Sequence, residues 1–395
     1  MKKMKILALV LGVIMLFSIT ACANTESTTS ASVESAQNAT ASEAPDEVKE
    51  AVEKVAESGD LNYEDLKVFV ALGWMENESG WRTRDGYEQT LLSYGIPEEN
   101  ITFTDANYDV GVQVDQLHAA IETDPDVIFC MPASAEGLAE AVQDVVDADI
   151  PIFLNDGPVV GAEDIVTGWC IGDDYSKGYT TMTYLCEQLG GKGNVALIKL
   201  DPNANWKLRS DAAKDVAAQY PDINIVAEWS WDSTGVNTPR MAMDGFLSQF
   251  PNEGELDAVW CAWDTAVMEC LGACDAAGRD DIIFVGDNVG VQEVVDTIRD
   301  NPQFIGSVGS GFYYQAMTNV NNAMSYLAGE DMGDMRVYTN DIFFDAQIIK
   351  DAEAKMEEGE SLLDYDLPGN MERWGLKPIE HHTPPETSEA YGKVR

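Results

Sequence analysis

Indole, amide, carboxylate and basic side chains follow several apolar, strand-like segments of this 395-residue chain. Gly73–Trp81 holds two indoles and an amide, and Trp263-Asp264 and Asp287-Asn288 follow two other apolar segments. An indole packs well against the C–H face of a sugar ring, and planar amide and carboxylate groups bind its hydroxyls in pairs. A single tryptophan of this kind is more often part of a core, but the recurrence predicts a site for a sugar or a related polyol.

The candidate ligand-binding side chains are those that follow the predicted strands: Trp74, Asn77, Trp81, Asn155, Asp156, Trp206, Lys207, Trp231, Trp263, Asp264 and Asn288. We expect no catalytic residue and no cofactor, because the sequence has no glycine-rich phosphate loop and no Ser, Cys and His arranged as a nucleophile with its base. Pairs of Asp and Glu are abundant in so acidic a chain. A secreted carbohydrate-active enzyme therefore remains an alternative.

Metal and disulfide chemistry are not expected either. Residues 105–109 begin like a calcium loop, but Val110 and Gln116 occupy the positions that require Gly and Glu. The three histidines are scattered, and no Cys and His spacing predicts a zinc site. Cys130 and Cys261 lie inside apolar runs, and the spacing of Cys270 and Cys274 on a helix seldom allows a disulfide. Buried thiols are the favoured interpretation of the six cysteines after Cys22.

A scaffold that brings strand ends together is needed to position the candidate side chains. From Leu66 to Leu327, apolar strand-like runs alternate with helix-like segments. Runs such as 127–131 are continuously apolar, which is typical of parallel strands buried on both faces. The number of these units predicts an α/β fold with two doubly wound parallel-sheet domains. Ligands of such sheets bind beyond the carboxyl ends of the strands.

The N-terminal segment predicts export. Three lysines precede the apolar run Ile6–Phe17, and Ile19–Cys22 follows it, so residues 1–22 fit a signal peptide. The segment Ile19–Cys22 resembles the lipobox of bacterial lipoproteins, which implies lipidation of Cys22 and attachment to the extracytoplasmic face of the cell membrane. Residues 23–62 are polar, and we expect a disordered tether there.

The strongly acidic composition excludes some partners. The formal net charge is −45, with 69 acidic against 24 basic residues. Phosphates would be repelled by such a chain, so we expect no nucleic-acid partner. An anionic membrane surface would repel the body of the protein in the same way, and the lipid on Cys22 is expected to supply the membrane attachment.

From about Leu66 to Phe344 the chain resembles the type I periplasmic binding proteins, the sugar-binding receptors of ABC transporters. The segments that carry the resemblance are Asp126–Pro132, Ile150–Asn155, Ile171–Asp174, Asp257–Asp264 and Phe284–Asn288. The resemblance implies two lobes that close on a ligand by hinge bending. It places the lobes at 63–172 with 311–338 and at 173–310 with 339–395, and the crossings between them at Gly172–Asp174, Ser310–Gly311 and Tyr338–Asn340.

The resemblance also implies residue roles in the N-terminal half of the site. Asn77 falls on the family's first-strand amide, and Trp81 lies near the usual sugar-stacking aromatic. Asn155 and Asp156 fall where a ribose receptor has Asp-Arg, and Lys207 falls on a ligand-binding arginine.

In the C-terminal half, Trp231 falls on an aromatic position of the family. Trp263 replaces an Asn before Asp264, Asn288 replaces an Asp, and Ser310, which is added to the candidates on this ground, replaces a Gln. These differences put ribose itself in doubt.

The function that the resemblance implies is a monomeric, non-enzymatic receptor that delivers a sugar or polyol to an ABC transporter permease. A receptor for a nucleoside or a furanosyl signal is the alternative binding function. The segment beyond Asp345 extends past the usual end of the fold, and the sequence assigns it no role.

Overall fold

The computed structural model describes residues 61–201, 204–232 and 236–390. The predicted signal peptide, Cys22 and all of the predicted tether except Leu61 and Asn62 lie outside the described residues. Leu61 packs against the core of the first lobe.

The described residues contain strands β1 to β12 in chain order: Val68–Leu72, Ile101–Asp105, Val127–Met131, Ile152–Asp156, Gly168–Ile171, Lys192–Lys199, Asp222–Ser230, Ala258–Cys261, Ile283–Asp287, Phe304–Gly309, Arg336–Tyr338 and Ile342–Phe344. Helices α1 to α11 of the same residues are Glu78–Ser93, Val110–Glu122, Ala139–Asp147, Asp174–Gln188, Ala204–Ala217, Pro239–Gln249, Asp264–Ala277, Gln292–Asp300, Phe312–Leu327, Ala346–Glu353 and Asn370–Trp374.

These strands form two six-stranded sheets. The first has the order β11-β5-β4-β3-β1-β2, and all its strands are parallel. The second has the order β12-β10-β9-β8-β6-β7, and only β12 is antiparallel to its neighbour. The predicted fold class, two doubly wound α/β lobes with parallel sheets, is confirmed.

The continuous apolar character of the strands results from burial on both faces. In β1, Val68 and Val70 belong to one core cluster, together with Tyr87 of α1. The alternate residue Phe69 belongs to a second cluster, with Leu117 of α2. Successive side chains of a strand point to opposite faces, so helices cover both sides of this sheet and no residue of β1 faces water.

Side-chain caps set the beginnings of several helices. The Asn77 side chain accepts a hydrogen bond from Gly80 N at 3.1 Å, so α1 begins at Glu78. The Asp173 carboxylate accepts one from Ser176 N at 3.0 Å at the start of α4.

The chain passes between the two sheets three times. It crosses from β5 to α4 through Gly172 and Asp173, and from β10 to α9 through Ser310 and Gly311. It crosses again from β11 to β12 through Thr339–Asp341. These connections bring residues of distant sequence position together beside the strand ends of both lobes.

The segment after β12, residues 345–390, is packed onto the second lobe, and we call it the C-terminal extension. It contains α10, a short 3₁₀ turn at Leu362–Asp366 and α11. Leu362, Tyr365 and Trp374 are buried in the core of the second sheet. The sequence analysis predicted no structure here, because the segment lacks a long apolar period and its few large side chains are far apart.

Six cysteines, from Cys130 to Cys274, are buried with their thiols free. In the part of the chain that the structure describes, no group of three or more His, Cys, Asp or Glu side chains is arranged to hold a metal ion. None of the helices formed by these residues is long and apolar enough to cross a bilayer.

Candidate functional site

The two lobes touch at the carboxyl ends of their strands. Gly157 directly follows β4, and a Cβ atom at that position would overlap the side-chain amide of Asn205 on α5 of the other lobe. Gly290 follows β9, and a Cβ there would lie 3.9 Å from the Cβ of Glu78 at the start of α1. The lobes are therefore close together at the strand ends, where the ligand site is predicted.

Three predicted indoles form one aromatic stack in the second lobe. Trp206, Trp231 and Trp263 follow β6, β7 and β8, which are neighbours in the sheet. The ring centroid of Trp263 lies 5.5 Å from that of Trp206 and 5.8 Å from that of Trp231, with interplanar angles of 28° and 29°. Trp263 is 8% exposed, whereas the other two are half-buried. The sheet order thus joins three residues that are far apart in sequence.

A buried arginine, Arg209, lies beside this stack. Its guanidinium carbon is 5.1 Å from the ring centroid of Trp206. Its Nε donates to Asp174 Oδ1 at 2.6 Å, and its Nη1 donates to the Ala262 carbonyl at 2.9 Å and lies 3.3 Å from Asp287 Oδ1. The guanidinium therefore connects the start of α4 with the ends of β8 and β9.

Lys207, the predicted cation, is positioned elsewhere. Its ammonium group contacts Asp211 at 2.5 Å and Glu389 of the C-terminal extension at 2.8 Å. A helix turns by about 100° per residue, so side chains two residues apart point in nearly opposite directions. Arg209 reaches the strand ends, and Lys207 consequently faces the extension. The structure therefore places Arg209, and not the predicted Lys207, at the strand ends.

A second buried cation, Lys177, joins the crossings between the lobes. Its Nζ donates to Ser310 Oγ at 2.8 Å, and Ser310 Oγ donates to Asn288 Oδ1 at 2.9 Å. The same Nζ lies 3.6 Å from Asp174 and 3.7 Å from Asp341. Two predicted residues, Ser310 and Asn288, thus form a hydrogen-bonded chain with a lysine that the sequence analysis did not select.

Carboxylates with raised pKa values surround these cations. Burial raises the pKa of Asp264 to about 8, against the lowering effect of the Thr265 and Gly290 backbone amides. Burial also raises the pKa values of Asp156 and Asp287 to about 6, although Lys177 and Arg209 act in the opposite direction. Asp156 belongs to the first lobe and Arg209 to the second, so the lobes interact electrostatically at this site.

Asn155 and Asp156 occupy the end of β4. The Asn155 side chain is buried and accepts a hydrogen bond from the Tyr87 hydroxyl at 2.8 Å. The Asp156 backbone N–H donates to Gln315 Oε1 of α9 at 2.8 Å, and Asp156 has a φ of +67°. Tertiary contacts of α1 and α9 therefore fix the end of this strand in a backbone conformation that is uncommon for a non-glycine residue.

Two of the three predicted residues that follow β1 contact other side chains of the protein. Trp74 stacks on Tyr108 with centroids 5.1 Å apart and an interplanar angle of 6°. Asn77 caps α1 and donates from Nδ2 to the Tyr108 hydroxyl at 2.8 Å. Trp81 is 39% exposed. Among these three, Trp81 has the ring area that is accessible to a ligand.

Several buried polar atoms at this site have no hydrogen-bond partner among the described residues. They are Asn155 Nδ2, Trp231 Nε1, Gln315 Nε2 and both carboxylate oxygens of Asp287. Such atoms lose hydration without compensation unless a further donor or acceptor reaches them.

The sequence analysis did not select Arg209, Lys177, Asp287 and Gln315, which the structure places beside the selected residues. Arg209 and Asp287 stand in the same strand-end segments as selected residues, and Lys177 follows the first crossing by a few residues. The available signal was the helical phase: Lys207 and Asp211 are four residues apart and share one face, which leaves Arg209 on another.

Comparison with known proteins identifies the family. A family model described as a periplasmic binding protein domain matches residues 68–331. The xylitol-binding protein of Mycolicibacterium smegmatis is 25% identical over 243 residues, which cover 60% of this chain and 66% of that protein. The galactofuranose-binding protein of Escherichia coli is 24% identical over 251 residues, 58% of this chain and 74% of that one.

Solved structures show the same architecture. A solute-binding protein of Actinobacillus succinogenes with bound D-allose has a TM-score of 0.64 and 21% identity, and the match covers 72% of this chain and 99% of that one. A periplasmic ribose ABC transporter protein of Conexibacter woesei has a TM-score of 0.67 and 18% identity, covering 75% and 98% of the two chains.

Two α/β lobes joined by three crossings, with polar strand ends in contact, define a two-lobed solute-binding fold. The chain belongs to the periplasmic binding protein family, since the family model covers well over half of it. The resemblance noted from the sequence is confirmed.

Proposed function

We propose that this protein is an extracytoplasmic receptor that captures a neutral sugar or polyol between its lobes, without catalysis, and delivers it to an ABC transporter permease. The observation that carries the proposal is the presence, beside the strand ends of both lobes, of buried polar atoms without a hydrogen-bond partner among the described residues: Asn155 Nδ2 and Gln315 Nε2 in the first lobe, and Trp231 Nε1 and the carboxylate of Asp287, which is ion-paired with Arg209, in the second. A polyhydroxylated ligand supplies a donor and an acceptor at each hydroxyl, which is what such a mixed set requires.

The names of relatives support this class of ligand. The two curated relatives are named for xylitol and galactofuranose, and structural neighbours contain D-allose, myo-inositol and allitol. All of these are neutral and rich in hydroxyl groups. The ligand contacts that we propose are the predicted residues other than Lys207, with Arg209, Lys177, Asp287 and Gln315 added.

The proposal also covers the attachment of the receptor to the membrane and its oligomeric state. The segment Ile19–Cys22 supports lipidation at Cys22, which would hold the receptor at the outer face of the cell membrane. We propose that the receptor acts as a monomer, because both halves of the site come from one chain.

A thermal-shift screen of the purified protein tests the ligand class. Pentoses, hexoses in pyranose and furanose form, linear polyols, inositols and nucleosides are compared at equal concentration. A ligand at 100 times its Kd stabilises the folded state by about 2.7 kcal/mol, which gives a measurable rise in Tm. A rise with a sugar or polyol, and its recovery unchanged by chromatography, is expected. A rise with nucleosides alone would select the alternative receptor function, and turnover of a glycoside would select an enzyme.

A further inference from the structure

Two buried side-chain amides lie at the end of β4, and the surrounding hydrogen bonds fix which end of each amide is free. Asn155 belongs to β4 itself, whereas Gln315 lies on α9, one turn after the second crossing. Both side chains are 0% exposed, and Asn155 Nδ2 and Gln315 Nε2 have no hydrogen-bond partner among the described residues. An amide has one accepting and one donating end, so its orientation decides what it offers to a ligand.

The orientation of the Gln315 amide follows from one backbone group. Gln315 Oε1 accepts a hydrogen bond from the Asp156 backbone N–H at 2.8 Å. A backbone N–H can only donate, so the oxygen end of the Gln315 amide must face Asp156. The free end of Gln315 is therefore the donor Nε2.

The orientation of the Asn155 amide follows from three hydrogen bonds that begin at another backbone group. Asn319 Nδ2 donates to the Leu154 carbonyl at 2.8 Å, and a carbonyl can only accept, so this end of the Asn319 amide is the nitrogen. The same nitrogen donates to the Tyr87 hydroxyl at 3.4 Å. The hydroxyl directs its own proton to Asn155 Oδ1, which is 2.8 Å away. The free end of Asn155 is therefore the donor Nδ2.

Burial keeps the Tyr87 hydroxyl in its donating form. Burial raises the pKa of Tyr87 above its ordinary value, and the hydrogen bond from Asn319 acts in the opposite direction without reversing the shift. The phenol consequently stays protonated at neutral pH, and its one proton is available for Asn155 Oδ1.

The two free donors lie where the first lobe meets the second. Gly157 follows Asp156 directly, and a Cβ at Gly157 would overlap the Asn205 amide of the second lobe. A ligand held between the lobes therefore lies beside the end of β4. A buried donor without an acceptor is unfavourable, so a ligand atom that accepts is favoured there over one that can only donate.

We propose that Tyr87 and Asn319 are positioning residues that hold Asn155 as a hydrogen-bond donor, so that Asn155 and Gln315 select a ligand with an accepting oxygen at the end of β4. The inference rests on the proposed function and deepens it, because it states which kind of ligand atom this part of the site recognises. A hydroxyl, ether or carbonyl oxygen accepts from such donors. The ammonium group of an amino sugar cannot accept, and a deoxy position offers no polar atom.

Substituted ligands test the selection. In the ligand from the thermal-shift screen, each hydroxyl in turn is replaced by fluorine, which accepts weakly and cannot donate, or by an amine that is protonated at neutral pH. Titration calorimetry gives the Kd of each analogue for the parent protein and for Asn155→Asp, which replaces the donor by an acceptor.

We expect one ligand position at which the parent protein binds the fluoro analogue at least about tenfold more tightly than the amino analogue. In Asn155→Asp this preference should shrink by about tenfold or reverse at that position, because the carboxylate accepts from the ammonium group. The same preference in the parent and in Asn155→Asp at every position would overturn the selection.

Tyr87→Phe tests the positioning role. Without the hydroxyl, the Asn155 amide is free to rotate, and the preference for the fluoro analogue should fall by at least about threefold. Tyr94→Phe is the matched control, because the Tyr94 hydroxyl joins the same two helices by donating to Asn321 Oδ1 at 3.0 Å. It should leave the preference unchanged. Equal changes in the two variants would show a general effect of helix packing and would overturn the role of Tyr87.

Thermal unfolding without ligand tests the assigned orientations separately. Asn155→Asp keeps an oxygen for the Tyr87 hydroxyl, whereas Asn319→Asp places an acceptor against the Leu154 carbonyl. Both positions are fully buried, so burial of a carboxylate is unfavourable in both variants. Tm should therefore fall further in Asn319→Asp, and an equal or larger loss in Asn155→Asp would overturn the orientations. A failed ligand screen with the expected order of Tm values would overturn the proposed function and leave the orientations intact.

Discussion

Arg209 and Lys207 are two residues apart on α5, yet they have entirely different surroundings. Arg209 is 3% exposed and pairs with Asp174 and Asp287, whereas Lys207 pairs with Asp211 and Glu389 near the surface. A buried charge that loses its partner costs about 3–5 kcal/mol, but an exposed ion pair contributes about 0–1 kcal/mol. The two positions therefore form a matched pair for testing the site.

We predict that Arg209→Gln weakens ligand binding by more than about tenfold, because the carboxylates that it orients lose their cation. Lys207→Gln should change Kd by less than about twofold. Titration calorimetry with the ligand from the screen measures both, after thermal unfolding has shown that each variant is folded. Equal losses in the two variants, or a larger loss in Lys207→Gln, would return the role to Lys207.

The raised pKa of Asp264 predicts that the folding stability of the protein depends on pH. Burial raises its pKa from 3.8 to about 8, so the folded state holds a proton that the unfolded state releases. Folding stability from this residue is fully present below pH 4 and declines as pH rises toward 8. We expect the free energy of unfolding of the ligand-free protein to fall between pH 5 and pH 8. The raised pKa values of Asp156 and Asp287 change this free energy in the same direction.

Asp264→Asn isolates this contribution. The asparagine keeps the oxygen that accepts from Thr265 N at 2.7 Å but has no proton to lose in this range. Denaturant unfolding at a series of pH values should therefore give a shallower decline than in the parent protein. Parallel profiles for the two proteins would contradict the assigned pKa.

At the scale of elements, the end of β4 and the start of α5 approach each other closely between the lobes. Gly157 is needed there because any Cβ would overlap the Asn205 amide. A small substituent could be accommodated by rotation of that amide, whereas a β-branched side chain occupies more of the space that the Asn205 side chain fills. The contact therefore limits how far the lobes can close.

We predict that Gly157→Val keeps the lobes further apart. The ligand-bound radius of gyration from small-angle scattering should exceed that of the parent, and Kd should rise by roughly tenfold as the closed fraction falls. Gly245→Ala on α6 is the control, since nothing lies within 4 Å of its added Cβ, and it should be neutral or stabilise by up to about 1 kcal/mol. Unchanged scattering and affinity in Gly157→Val would show that the closed form does not require this contact.

At the scale of the whole molecule, attachment to the membrane is predicted to depend on one residue. Cys22→Ala should move the protein into the aqueous phase after detergent phase separation, because the Cys22 thiol is the one lipid attachment point that the lipobox predicts. Cys274→Ala, which alters a buried thiol, should leave the protein in the detergent phase. A Cys22→Ala variant that still partitions with detergent would contradict the lipobox interpretation.

The sequence by itself determined the fold class and the parallel strands β1 to β10, but not the short edge strands β11 and β12. Short, continuous apolar runs that alternate regularly with helical segments are typical of parallel strands buried on both faces, and the helix between two such strands crosses over the sheet. The sequence therefore predicted a site at the strand ends, and the structure brings the indoles that follow β6, β7 and β8 into one stack. The apolar runs are local properties of the chain, and the position of the strand ends follows from the rule that parallel strands are joined by crossover helices.

The tertiary structure decided which atoms at those ends remain for a ligand. Trp74 and Asn77 are engaged by Tyr108, Lys207 by the C-terminal extension, and Arg209 reaches the strand ends instead. None of these pairings follows from residue type, because each depends on which face of an element meets a segment that is distant in sequence. The packing of residues 345–390 was hidden for the same reason: scattered side chains such as Trp374 become part of a core only where the second sheet supplies the apolar surface that they cover.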